Sequence, residues 1–160
     1  MRDSFLLPLR ALGGRRSQFS DMESFRKISV DYLLAAANAF VTYLAPSLPS
    51  GQPFHFTFTS GKDAEWDQEK SLMFMEETRR VKGQWEKGLA ELQDRSGNDF
   101  QAWFMRPSVI LPADSGCMAK GTGKLYGGVP VEDLAEAMVK VALHGHQERI
   151  IEMNMLKTIR

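Results

Sequence analysis

Cysteine is nearly absent from this chain of 160 residues, and so is any excess of charge of one sign. Cys117 is the one cysteine, which excludes an internal disulfide and is typical of a reducing compartment. Twenty basic residues balance twenty acidic ones, so no net charge draws the chain to nucleic acid or to an anionic membrane. These two shortages predict a cytoplasmic protein without a nucleic-acid partner.

Long apolar runs are also scarce in the sequence. No run approaches the roughly 20 residues that a membrane span needs, so we expect no membrane partner. Residues 1–16 are basic and partly apolar, but Asp3 and Pro8 are unusual in a targeting peptide. With 43% hydrophobic residues, the chain has the composition and length of a single domain, residues 1–160.

Strand and helix patterns alternate along the chain. Strands are predicted at residues 5–12, 54–59, 100–106 and 149–153, and helices at 21–44, 68–94 and 130–145. Residues 112–128 are rich in glycine and show little periodicity, which predicts a loop. Because the connections between strands are long enough to hold helices, the strands are predicted to be parallel in an α/β fold.

Each predicted helix has an apolar face. These faces consist of Phe25, Ile28, Tyr32, Ala36, Phe40 and Leu44 in the first helix, Val81, Trp85, Leu89 and Leu92 in the second, and Leu134, Met138 and Val141 in the third. Spacings of three and four residues place each set on one side of its helix. We expect these faces to pack against the sheet.

A serine and a lysine are the first candidates for a functional site. Ser60 directly follows the strand at 54–59, and open α/β sheets bind ligands outside the carboxyl ends of their strands. A hydroxyl there can donate a hydrogen bond to a substrate carbonyl, and Lys82 on the next helix can contact a cofactor ribose or supply a fixed positive charge. The alternative is that Ser60 and Gly61 form a simple turn and that Lys82 is a solvated helix residue.

Two other patterns are incomplete. Gly116 and Gly121 have the spacing of a phosphate-binding loop, but Thr122 occupies the position of its lysine. His144 and His146 lack a cluster of further ligands in the sequence. We therefore predict no metal site.

Four short segments occur in an order that is found in a known protein family. They are Ala11-Leu12-Gly13-Gly14, Phe56-Thr57-Phe58-Thr59-Ser60-Gly61, Arg106-Pro107-Ser108-Val109-Ile110-Leu111 and Val129-Pro130-Val131-Glu132-Asp133-Leu134-Ala135. Together they resemble the second half of an atypical short-chain dehydrogenase/reductase, in the group of NAD(P)-binding, epimerase-like proteins. The resemblance implies a partial Rossmann-like parallel sheet flanked by helices, without the N-terminal nucleotide-binding half, and NAD or NADP as the cofactor.

The resemblance also implies roles for individual residues. The catalytic positions are Ser60, Thr78 and Lys82, where Ser60 polarises the substrate and Lys82 holds the cofactor ribose. The cofactor-binding positions are Gly13, Gly14, Lys82, Arg106, Pro107 and Ser108. Family members carry a tyrosine four residues before the lysine, and Thr78 stands there in this chain. A threonine hydroxyl is a far weaker acid than a phenol, whose pKa is about 10, so Thr78 is a poor proton donor.

Two functions follow from this resemblance. The first is an NAD(P)-binding oxidoreductase or epimerase relative, impaired by Thr78 and by the lack of the glycine-rich turn that holds the cofactor pyrophosphate. The alternative is a non-catalytic remnant or a protein-docking module derived from the same family. Family members dimerise through the helices that here span residues 21–44 and 68–94, which makes a homodimer the expected partner.

Overall fold

The computed structural model describes residues 9–10, 16–49, 51–113 and 127–159. In chain order the strands are β1 (Leu9–Arg10), β2 (Phe54–Thr59), β3 (Phe100–Arg106), β4 (Ile110–Leu111), β5 (Val129–Pro130) and β6 (Ile150–Glu152). The helices are α1 (Met22–Ser47), α2 (Glu76–Ser96), α3 (Val131–His144) and α4 (Met153–Leu156), with short 3-10 turns at Arg16–Gln18 and Gly97–Asp99.

A parallel sheet forms the centre of the fold. Its order is β1-β2-β3-β6, and every neighbouring pair is parallel. The β2–β3 pairing runs in register from Phe54 opposite Phe100 to Thr59 opposite Met105. Strands β4 and β5 form a separate parallel pair. The predicted α/β class, a partial Rossmann-like parallel sheet flanked by helices, is confirmed, as are the strands at 54–59 and 100–106; of the strand predicted at 5–12, Leu9–Arg10 is described.

Each face of the sheet carries its own core, because side chains alternate between the two faces along a strand. Phe54, Phe56 and Phe58 of β2 pack with the buried side chains of α1 and α2. From the opposite face of β2, His55 Nδ1 lies 2.6 Å from the carbonyl oxygen of Ala142 in α3. Helices α1 and α2 therefore cover one face of the sheet and α3 covers the other.

The predicted inward faces of α2 and α3 are confirmed, since every residue named for them is buried. The face predicted for α1 is wrong in part. Leu33 and Ala37 are buried, whereas Ile28 is 45% and Tyr32 57% exposed. Apolar residues occur on all sides of α1, so periodicity does not distinguish its buried side from its exposed side. Two π-helical turns within α1 also change which residues face the sheet.

Helix α1 also corrects the expectation about apolar runs. Its 26 residues have a stretch with a mean hydropathy of 1.4, which is long and apolar enough to cross a membrane by length and composition alone. Helices from the core of soluble proteins satisfy the same criterion, and one side of α1 packs against the sheet. Since 22% of that stretch is buried, much of its apolar surface faces outward.

The helix predicted at 68–94 begins later than expected. Residues 68–75 form an irregular segment that packs against the first turns of α2, and the helix starts at Glu76. Gln68 Nε2 donates hydrogen bonds to the backbone carbonyls of Glu65, at 3.0 Å, and of Arg80, at 3.3 Å. Met75 has a left-handed φ of 53°, which separates this segment from the helix. Side-chain bonds to the backbone thus take the place of the helix that was predicted for residues 68–75.

Candidate functional site

Ser60 lies where the main sheet ends. Its backbone N–H donates to the carbonyl of Met105 at 2.8 Å, which extends the β2–β3 pairing by one residue. The residue is 6% exposed, and its Oγ has no hydrogen-bond partner among the described residues. An unpaired buried hydroxyl costs about 1–3 kcal/mol, so this oxygen is suited to a group that supplies a partner.

Lys82 reaches Ser60 from the second turn of α2. Its Nζ donates to the backbone carbonyl of Ser60 at 3.3 Å, so the fold brings the two predicted residues together. Burial lowers the pKa of the Lys82 amine, and the negative charge of Glu86 partly opposes this effect. Gly61 permits the approach, because a methyl group at position 61 would overlap Lys82 Nζ.

Thr78 occupies the first turn of α2, four residues before Lys82. Residues with this spacing lie above one another on a helix, so Thr78 and Lys82 share one side of α2. Thr78 is partly buried. The three predicted catalytic residues thus lie at the end of β2 and on the adjoining turns of α2.

The segment after β3 lies beside the segment after β2. The backbone N–H of Lys62 donates to the carbonyl of Pro107 at 3.0 Å. Ser108 Oγ donates to the carbonyl of Gly127 at 2.7 Å, which connects this segment to the residues that lead into β5. Pro107 and Ser108 therefore belong to the same edge of the sheet as Ser60, as parallel strands require.

The guanidinium of Arg106 is bound by other residues of this chain. Its Nε donates to Glu86 Oε1 at 2.9 Å, its Nη2 contacts the other oxygen of Glu86, and its Nη1 donates to Glu152 at 3.1 Å. Burial disfavours the charged form of Arg106. Its hydrogen bonds to Glu86 and Glu152, together with the negative charges of these two residues, have the larger effect and raise its pKa. The side chain that the resemblance assigned to the cofactor is thus engaged by two carboxylates.

Glu86 was absent from the sequence prediction. It is completely buried, and it also accepts a hydrogen bond from Trp66 Nε1 at 2.7 Å. One signal was available: Glu86 is adjacent to Trp85 on the inner side of an amphipathic helix, where a carboxylate requires a partner. Periodicity alone does not identify which cation supplies it.

A surface cavity of about 270 Å³ lies beside this network. It is lined by Ala64, Glu65, Trp66, Arg106 and Ile150. Ser60, Thr78 and Lys82 are not among its lining residues. The cavity therefore lies beside Arg106 and the segment after Ser60, and not on the Ser60–Lys82 pair.

The described residues fit one end of a nicotinamide dinucleotide better than the other. Ser60 offers an unpaired buried hydroxyl, and Lys82 offers a donor for a ribose. A glycine-rich turn at a helix N-terminus, which would hold the pyrophosphate, does not occur in the described ranges. Gly13 and Gly14, the other predicted cofactor contacts, lie outside the described residues.

Within the described residues, no group of three or more histidine, cysteine or acidic side chains is arranged to hold a metal ion.

Comparison with known proteins gives a match at the level of the fold. The structure resembles the crystal structure of a protein from Burkholderia xenovorans that is provisionally assigned to the short-chain dehydrogenases/reductases, with a TM-score of 0.68 and 16% sequence identity. The match covers 94% of this chain and 65% of the other, so the chain spans less than two thirds of the length of that protein. No family model and no curated protein matches the sequence.

Proposed function

We propose that this chain is an NAD(P)-binding protein of the short-chain dehydrogenase/reductase type, with weak or no oxidoreductase or epimerase activity. Lys82 holds the nicotinamide ribose, Ser60 binds the substrate carbonyl, and the segment from Arg106 to Ser108 borders the nicotinamide. Gly13 and Gly14 complete the cofactor contacts in this proposal. A bound nicotinamide would supply hydride chemistry, and every other contribution comes from the side chains named here.

One observation carries this proposal. Lys82 Nζ donates to the carbonyl of Ser60, while Ser60 Oγ is buried without a partner among the described residues. A simple turn beside a solvated lysine leaves neither a partly buried amine nor an orphaned hydroxyl. The pair supports a polar ligand at the carboxyl end of β2, which is where α/β sheets of this type bind their ligands.

Thr78 limits the chemistry of the proposed site. A general acid works best when its pKa lies near the working pH, and an aliphatic hydroxyl is much further from that range than a phenol. Thr78 can orient a substrate by a hydrogen bond, but it contributes little to proton transfer. We therefore propose cofactor binding as the retained property and efficient carbonyl reduction as the lost one.

A titration with NADPH and with NADH tests the proposal. Fluorescence of Trp66, Trp85 and Trp103 is expected to fall along a saturable curve, and Lys82→Ala is expected to weaken binding about ten-fold or more, because a ribose contact is lost. Lys87→Ala is the matched control, since Lys87 is an exposed lysine of the same helix. Absence of binding by the folded wild-type chain would sink the proposal, and an unchanged affinity of Lys82→Ala would remove Lys82 from it.

The second candidate function is that of a docking module, and an exposed apolar surface favours it. Ile28, Tyr32 and Tyr43 are 45%, 57% and 74% exposed on α1. Ile28 and Tyr32 are four residues apart, which places these two on one side of that helix. Leu34 of α1 lies against Gly88 of α2, so the two helices are packed side by side. We propose that α1 and α2 together form the interface of a homodimer, whether or not the cofactor site is functional.

Sedimentation equilibrium tests the dimer. The wild-type chain is expected to be dimeric, and Tyr32→Glu is expected to be monomeric, because a charge would be buried in the interface. Val139→Glu is the control. Val139 is 37% exposed on α3, the helix that covers the opposite face of the sheet. A monomeric wild-type chain, or equal dissociation by both variants, contradicts this surface.

The remaining features of the proposal concern the chain as a whole. Residues 1–160 are proposed to form one domain, because the two cores share a single sheet. Two separate urea transitions would contradict this arrangement.

A cytoplasmic location is proposed on the grounds of the single cysteine, and subcellular fractionation tests it.

A further inference from the structure

Glu86 is a fully buried carboxylate for which the proposed reaction provides no role. Its two oxygens accept hydrogen bonds from Trp66 Nε1, at 2.7 Å, from Arg106 Nε, at 2.9 Å, and from Arg106 Nη2. Burying a carboxylate and a guanidinium costs several kcal/mol each, and an apolar pair in their place is often as stable. Stability alone therefore gives a weak reason for an ion pair at this position.

The partners of Glu86 come from the elements that carry the candidate site. Trp66 belongs to the segment that follows Ser60, and Arg106 is the last residue of β3, directly before Pro107. Glu86 itself lies one helical turn after Lys82 on α2. Arg106 Nη2 additionally donates to the carbonyl of Ala64 at 3.3 Å. One carboxylate thus connects the end of β2, the end of β3 and the helix that bears Lys82.

We propose that Glu86 is a positioning residue for the Lys82 site: its buried carboxylate fixes Arg106 and Trp66, and its negative charge lies one helical turn from Lys82, close enough to act on the amine. This inference rests on the proposed function in one respect, namely that Lys82 is the amine of the site. It adds a residue to which the resemblance assigned no role. Arg106 takes part by holding the carboxylate in place.

The charges around Lys82 make Glu86 the relevant partner. On its own helix, Glu86 lies four residues after Lys82, and Arg79, three residues before Lys82, donates to the carbonyl of Asp63. The end of β2 contributes the carbonyl of Ser60 and the backbone of Gly61, which carry no net charge. On the segment that follows, Lys62 and Asp63 are exposed and Glu65 pairs with Lys70. The end of β3 presents the Arg106 guanidinium, which is bound to Glu86 itself.

Competitive acylation with acetic anhydride measures the protonation of Lys82 directly. The rate at Lys82 is followed between about pH 6 and pH 11 by mass spectrometry of peptides, because acylation requires the free amine. In Glu86→Gln, the midpoint is expected to fall by about half a pH unit or more, which is roughly a three-fold faster reaction below the midpoint. Lys87, exposed on the same helix, is the internal reference, and its midpoint is expected to stay constant.

Two further variants extend the test. Arg106→Gln removes a positive charge and is expected to raise the Lys82 midpoint, whereas Glu86→Asp keeps the negative charge and is expected to stay near the wild-type value. Loosened packing would hydrate Lys82 and raise its midpoint in every variant. A midpoint in Glu86→Gln that equals or exceeds the wild-type value therefore overturns the inference. If Glu86→Gln does not fold by circular dichroism, a Lys82 midpoint in Arg106→Gln that is unchanged or lower than in the wild type overturns the inference.

The experiment is independent of cofactor binding, since it uses the chain alone. A chain that fails to bind NADPH and NADH but shows the expected midpoints contradicts the proposed function and retains the role of Glu86. A chain that binds a dinucleotide through Lys82, but whose Lys82 midpoint does not change in Glu86→Gln, supports the proposed function and contradicts the role of Glu86.

Discussion

Replacement of Gly83 by alanine is expected to destabilise the chain by about 3 kcal/mol or more, the upper range for overpacking. Gly83 lies inside α2, where alanine is normally better than glycine by roughly 1 kcal/mol. Here a methyl group would overlap the carbonyl oxygen and carbon of Glu65, which belongs to the segment between Ser60 and α2. Backbone atoms cannot move aside as a flexible side chain can, so the whole segment must be displaced.

Urea unfolding measures this loss, and a second glycine of α2 provides the control. A methyl group at Gly88 would meet the end of the Leu34 side chain, which can rotate away. Gly88→Ala is therefore expected to change stability by less than about 1 kcal/mol, because the gain in helix propensity offsets the rearrangement. Equal stability of the two variants would mean that the segment does not press on the helix at Gly83.

Displacement of this segment has a consequence for the site. The N–H of Glu65 donates to the carbonyl of Arg79 at 3.0 Å, and Arg79 Nε donates to the carbonyl of Asp63 at 2.8 Å. These bonds hold the residues that follow Ser60 against α2. In Gly83→Ala, we therefore expect limited proteolysis to cleave within residues 61–75 before it cleaves the rest of the chain.

Arg106→Met is expected to cost about 3–5 kcal/mol at neutral pH, as is typical when one partner of a buried ion pair is removed. Glu86 would keep the hydrogen bond from Trp66 but would lose its compensating positive charge. Glu152, by contrast, is 42% exposed in its side chain and can be solvated when Arg106 is lost. The loss in stability therefore arises at Glu86.

The double variant Glu86→Leu with Arg106→Met distinguishes this cause from lost packing. If the unpaired carboxylate is the cause, the double variant is expected to regain most of the stability, because no buried charge is left. Denaturant unfolding of the wild type, both single variants and the double variant gives the coupling energy. A double variant that is less stable than Arg106→Met would show that packing dominates.

The parallel sheet could be predicted because its central strands have strong local signals. Phe54, Phe56 and Phe58 alternate with polar residues, and Gly61 follows the strand closely. The apolar stripe of α2 was equally clear, and both elements pack as expected. The pairing of Lys82 with Ser60 was one of two alternatives that the sequence left open, and the structure decides between them because Lys82 Nζ donates to the carbonyl of Ser60.

What the sequence determined by itself is therefore the α/β class and the central strands, because these follow from periodicity and chain connectivity. Tertiary structure alone decided which side of α1 is buried, since both sides are apolar. It also decided that residues 68–75 pack against α2 instead of extending it, and that Glu86 accepts hydrogen bonds from Arg106 and Trp66. Each of these depends on contacts between residues that are distant in the chain, and local patterns carry no information about such contacts.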